Sequence, residues 1–179
     1  TLGGIVRNVI PGFRIGDDAI DNDIALIKKT GAEFVMGKEA PDVKELKAMG
    51  FDYIVLACGA EKKGRLDIEG SVMNVIDFLY AFKNGGELKL GRNVAVVGGG
   101  NTAMDAARAA KRAEGVEKVT LVYRRNRRYM PADLEELELA IEDGVEFMEL
   151  ASPVKQANGK LVCNKMKLGD KDASGRRVP

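Results

Sequence analysis

No histidine and no tryptophan occur in the 179 residues of this chain. The missing imidazole excludes Ser–His and Cys–His nucleophile pairs and removes the commonest general base. Acid–base work would fall to carboxylates or lysines, or else the chemistry would come from a bound group. Cysteine is scarce too. Cys58 and Cys163 stand far apart and no C-x-x-C occurs, so the sequence offers no redox disulfide, no iron–sulfur ligand set and no zinc site. No apolar run approaches the roughly 18–20 residues that span a bilayer, and no secretory leader is visible. A membrane partner is therefore not expected, and the cytoplasm is the expected location. The charges nearly cancel, with 28 basic and 27 acidic residues and a net charge of +1. This balance gives no global electrostatic case for nucleic acid.

What is present is ordinary for a globular chain, with 45% hydrophobic and 31% charged residues. The length suits one large domain or two small ones. Ile20, Ile24 and Ile27 recur at helical spacing within 17–30, with Gly31 placed to end the helix. "AEFVM" (32–36) reads as a short strand and "DVKELKAMG" (42–50) as a short helix. "FDYIVLACG" (51–59) reads as a buried strand stopped by glycine. Residues 60–73 read as a polar connector, and 74–86 as a helix ending at Gly85 and Gly86. The β/α pattern then restarts. A strand over 93–97 precedes a helix over about 102–113 and a strand over 118–123, and a helix over 131–144 carries Leu134, Leu137 and Ile141 on one face. A strand over 145–150 follows, and 160–177 suggests a hairpin or meander. Strands alternating with helices imply a parallel sheet covered on both faces. No internal repeat is visible. The chain opens at Thr1 and closes on Arg-Arg-Val-Pro, which reads as a segment of a longer protein.

One stretch carries chemistry. In "VAVVGGGNTAMDAA", Gly98, Gly100 and Ala103 fit G-x-G-x-x-A between a strand and a helix, with another strand about fifteen residues on. Gly98 permits the tight turn, Gly100 lets the backbone approach a pyrophosphate, and Ala103 allows close helix–sheet packing. Thr102 is the expected helix cap, with Asp105 as the capping-box acid. Free N–H groups in the first turn favour an anion. The bland alternative is a glycine turn that binds nothing.

The end of the second strand selects the dinucleotide. An NAD site places an acid there for the ribose 2′-hydroxyl. "KVTLVYRRNRRYMPA" (118–132) has no acid and five bases, Lys118, Arg124, Arg125, Arg127 and Arg128. Guanidinium forks suit a 2′-phosphate, so NADP(H) is expected, held first by Arg124 and Arg125. The acidic helix after this loop reads as a solvated face.

"GGGNTAMDAAR", "VTLVYRR", "MPA" and "GVEF" together resemble the NADPH half of the glutamate synthase small subunit family and its relatives, flavin reductases with Fe–S clusters. Upstream, "LGGIVRNVIPGFRI", "GAEFVMG" and "FDYIVLACGA" are similar to the middle of that family's FAD domain, so the resemblance covers nearly the whole chain. It implies an α/β architecture in which a Rossmann-type NADPH-binding domain adjoins an incomplete FAD-domain portion. The expected units are 1–68 (partial FAD portion), 69–86 (connector and helix) and 87–179 (NADPH domain). By position, Gly98, Gly99, Gly100, Asn101, Thr102 and Ala103 would face the NADPH pyrophosphate, and Arg124 and Arg125 its 2′-phosphate. Gly3, Gly4, Arg7, Ala57, Cys58 and Gly59 would lie near FAD. The implied function is hydride transfer from NADPH to FAD, with electrons passing to Fe–S clusters or a partner. No catalytic side chain and no metal ligand is expected. The implied partners are the remaining FAD-domain segments and an Fe–S domain or subunit. Unpaired strand edges in the first portion would drive dimerisation or disorder. The family's FAD glycine loop is not in the sequence, and Cys58 stands where threonine is usual. The segment alone is therefore expected to bind the reductant without passing electrons on. The alternative function is a non-catalytic NADP(H)-binding sensor or assembly module.

Overall fold

The structure is a computed structural model that describes residues 2–60, 64 and 66–179. Positions 61–63 and 65 of the expected connector lie outside the described residues. In chain order the elements are α1 (Gly4–Asn8), α2 (Asp17–Lys29), α3 (Val43–Ala48), α4 (Val75–Lys83), β1 (Asn93–Val97), α5 (Asn101–Arg112), β2 (Lys118–Tyr123), α6 (Leu134–Glu142), β3 (Glu146–Glu149), β4 (Ala151–Ala157) and β5 (Lys160–Lys165), with a single 3-10 turn at Arg127–Tyr129.

The Rossmann half forms as its pattern demands. β1, β2 and β3 make a parallel sheet in that order, with Val96 opposite Leu121 and Leu121 opposite Phe147. β2 is central, and Val119, Leu121 and Val122 are buried, as a strand covered on both faces requires. α5 lies close on the sheet because its inner side is almost all alanine. Ala103, Ala106, Ala107, Ala109 and Ala110 are buried there around Met104, and alanine also has the highest helix propensity. Phe78 and Leu79 of α4, Leu137 and Ala140 of α6 and upstream Val9 join the same core. The helix of the 69–86 stretch is thus part of the packing around α5. β1 is an edge strand, and one side of it faces a cavity of about 680 Å³ shared with Leu66, Ile68 and Phe78.

Two expected strands do not form. Residues 32–36 and 51–59 run outside any helix or strand. Tyr53, Val55 and Leu56 are 91%, 87% and 72% exposed. Both segments are apolar enough for a strand, but a buried strand also needs a neighbour to pair with, and these segments have none among the described residues. The C-terminal hairpin starts earlier than expected, because β4 pairs antiparallel with β5 and breaks register between Pro153 and Lys155. Proline, which cannot donate to a ladder, masked β4 in the sequence.

Candidate dinucleotide-binding site

β1 leads straight into the glycine loop, and Gly98 N–H continues the sheet by donating to the Val122 carbonyl at 3.0 Å. Each glycine has a separate reason to be there. A Cβ on Gly98 would come within 2.9 Å of the Ala103 Cβ, so the strand–helix turn closes only without one. A Cβ on Gly99 would overlap the Tyr123 ring, at 2.7 Å from Cδ2 and 2.9 Å from Cζ. Gly100 has open space where its Cβ would stand, with nothing within 4 Å. That is the place where a bulky group would approach the backbone.

Gly100, not Thr102, is the N-cap of α5, and no side chain caps the helix. Asp105 is not a capping-box acid either. It is buried and accepts from Arg14 Nη1 at 2.9 Å. The N-terminal amides of α5 therefore keep their partial positive charge for a ligand. Thr102 is exposed. Asn101 is tied sideways, donating to Asp133 Oδ2 at 3.0 Å and accepting from Asp133 N–H at 3.1 Å. The loop is also fastened from behind, where Ala132 N–H donates to the Gly99 carbonyl at 2.9 Å. The Tyr123 hydroxyl donates to the Tyr129 carbonyl at 2.7 Å. The chain after β2 thus folds back over the glycines and carries its arginines with it.

Those arginines divide into two kinds. Arg124, Arg127 and Arg128 are exposed, and their guanidinium groups have no hydrogen-bond or ion-pair partner among the described residues. Arg125 is buried at 5% exposure. Its Nε donates to the Arg177 carbonyl at 2.7 Å and its Nη2 to Asp172 Oδ2 at 3.1 Å. The expected Arg124–Arg125 pair is not presented side by side. Arg125 points into protein, because an acid 47 positions downstream claims it.

Upstream residues brace the same helix. Arg14 bridges Asp105 and, at 2.5 Å, Glu136 of α6. The Phe13 ring lies under Arg108 and Arg112, 4.9 and 4.5 Å from their guanidinium carbons. Both arginines pair with Asp143, whose carboxyl they hold down to about 2, Arg112 most strongly and against the opposing effect of burial. No sequence signal marked the role of Arg14, since its partners Asp105 and Glu136 are remote in the chain.

The residues expected near a flavin behave differently. Gly3 and Gly4 open α1, and Gly3 packs on Arg7 and Ile20. Arg7 pairs with Asp21 and donates to the Leu2 carbonyl at 2.9 Å. Ala57, Cys58 and Gly59 are exposed and outside any strand. A pyrophosphate cradle needs a strand, a glycine turn and a helix N-terminus together, and these residues do not make one. Among the described residues no cluster of His, Cys, Asp or Glu could hold a metal ion, and no helix is long and apolar enough to cross a membrane.

A family model described as pyridine nucleotide-disulphide oxidoreductase matches residues 14–175. The chain is 46% identical over 183 residues to YgfK of Escherichia coli, covering 99% of this chain and 18% of that protein. It is 38% identical over 195 residues to the NADPH-Fe(3+) oxidoreductase subunit beta of Geobacter sulfurreducens, covering 99% and 28%. It is 31% identical over 202 residues to the glutamate synthase (NADPH) small chain of Azospirillum brasilense, covering 99% and 41%. The chain thus spans about a fifth to two fifths of these relatives. Among solved structures, a mutant of FprA from Mycobacterium tuberculosis superposes with a TM-score of 0.72 at 18% identity, over 98% of this chain and 57% of that one. That likeness shows a shared fold.

Proposed function

The chain belongs to the pyridine nucleotide-disulphide oxidoreductase family, and from that premise we propose that it is the NADP(H)-holding part of a flavin-dependent oxidoreductase. The observation that carries the reading is the placement of exposed arginines, without side-chain partners among the described residues, beside an uncapped glycine-loop helix, with no acid at the end of β2. The pyrophosphate would lie over Gly100 and the first amides of α5, where the missing Cβ leaves room. The 2′-phosphate would be held by Arg124 together with the other exposed arginines of the loop, Arg127 and Arg128. Arg125 leaves the ligand set because its guanidinium is already bonded. Charge-assisted hydrogen bonds contribute roughly 1.5–3 kcal/mol each, so two of them favour NADPH over NADH by about 10² or more.

The nicotinamide would supply hydride. In the whole protein, hydride would pass to FAD and electrons onward to Fe–S clusters or a partner subunit. The Geobacter and Azospirillum relatives are both NADPH proteins by name, which supports NADPH as the reductant. The residues expected near the flavin do not form a cradle, so no step is assigned to them.

Isothermal titration tests the site. NADPH should bind at least tenfold tighter than NADH. Arg124→Ala combined with Arg128→Ala should weaken NADPH tenfold or more and leave NADH nearly unchanged. Equal affinities in the unmodified chain would overturn the assignment. The chain alone is expected to be colourless and without diaphorase activity, and a flavin spectrum from it would overturn that expectation and remove the non-catalytic sensor reading.

A further inference from the structure

Arg125 poses a question that the ligand assignment leaves open. It sits between the exposed Arg124 and the exposed Arg127 and Arg128, yet it is the one buried arginine of the loop. Burying a guanidinium is costly unless its donors are met, and here two groups meet them, the Asp172 carboxylate and the Arg177 carbonyl. Asp172 is itself the hub of a tight turn. Its Oδ1 accepts from the N–H groups of Ser174 and Arg176, at 2.9 and 3.1 Å, and from the Ser174 hydroxyl at 2.5 Å. Asp172 N–H donates back to the Arg176 carbonyl at 2.8 Å. The Ser174 hydroxyl, reinforced by the backbone and by Arg125, holds the Asp172 carboxyl below the usual carboxylate range.

The backbone of Arg125 is anchored independently. Its carbonyl accepts from Leu150 N–H at 3.1 Å, and the Leu150 carbonyl accepts from Met166 N–H at 2.8 Å. Leu150 has φ of 56°, a left-handed conformation that a bulky side chain adopts only when its surroundings impose it. The end of β2, the start of β4, the end of β5 and the C-terminal turn thus converge on one residue.

We propose that Arg125 is a positioning residue for NADP(H) selectivity, which ties the 170–178 turn to the end of β2 and thereby fixes the course of the loop that presents Arg124 and Arg128. This rests on the NADP(H) reading above. Selectivity then depends on Asp172, an acid that simple electrostatics would count against a phosphate.

Asp172→Asn separates this role from direct phosphate binding. Asparagine keeps an oxygen for the turn's own hydrogen bonds but can offer an N–H donor where Arg125 meets a carboxylate. If Arg125 acts by position, NADPH affinity of the 179-residue chain falls about tenfold, NADH affinity holds, and amide exchange quickens over 124–129 and 170–178 without nucleotide. Arg125→Met should do the same. If NADPH binds as well as before or tighter in D172N, the inference is overturned, because a released Arg125 would be acting as a ligand. A parallel loss of NADPH and NADH, or unchanged exchange, also overturns it. An unmodified chain that does not prefer NADPH overturns the underlying reading and this inference together, so the two failures are distinguishable.

Discussion

Arg14 and Asp105, 91 positions apart, meet at 2.9 Å and join the segment upstream of α2 to the helix behind the glycine loop. Asp105 is buried at 6% exposure. Removing Arg14 would strand a buried carboxylate. Because Arg14 itself is partly exposed, Arg14→Ala should destabilise by about 2 kcal/mol, below the range for fully buried pairs. Urea denaturation would show it as a lowered midpoint with unchanged slope. Asp105→Ala added to it should cost less than the sum of the two single changes.

Acid should reveal the Asp143 cluster. Its carboxyl is held near 2 in the folded chain, against an ordinary value of 3.8. A lowered folded value means that the contribution is fully present above about pH 4 and is lost as pH falls toward 2. Because the group is partly solvated, the contribution is on the order of 1 kcal/mol. Unfolding free energies of the unmodified chain and Asp143→Asn should differ at pH 6 and converge near pH 2. A gap that stays constant across that span would count against the assignment.

Gly99 and Gly100 should give opposite signatures. Gly99→Ala drives a methyl into the buried Tyr123 ring and should cost about 1–3 kcal/mol in thermal or urea unfolding. Gly100→Ala meets nothing within 4 Å among the described residues and should leave stability nearly unchanged while weakening NADPH. Equal destabilisation by both would remove the distinction between a packing glycine and a ligand-facing one.

The exposed run containing Tyr53, Val55 and Leu56 should drive self-association. A β-prone apolar segment without neutralising charge is a template for pairing. Sedimentation should show mass rising with concentration. Val55→Glu with Leu56→Lys should return the chain toward monomer without changing nucleotide affinity.

The Rossmann half was legible because its signals are local. Glycine spacing, an alanine-rich helix and a Val/Leu strand specify β1, α5 and β2 within about thirty residues, and β2 has the expected bounds. What escaped depends on distant partners. Strand propensity at 51–59 says nothing about whether a neighbouring strand exists. The row of arginines could not show that Arg125 is claimed by Asp172 and turned away from solvent. Thr102 and Asp105 have the residue types of a capping box, but the helix starts at Asn101, with Gly100 as its cap, and Arg14 takes the acid.

The contact between Gly99 and the Tyr123 ring has a consequence for divergence among relatives. The two positions form one unit of inheritance. A side chain larger than hydrogen at 99 should appear only where 123 has given up its aromatic ring. Losing the ring also releases the Tyr129 carbonyl and frees the turn beside the arginines. Cofactor preference in such lineages should therefore drift without any change to an arginine.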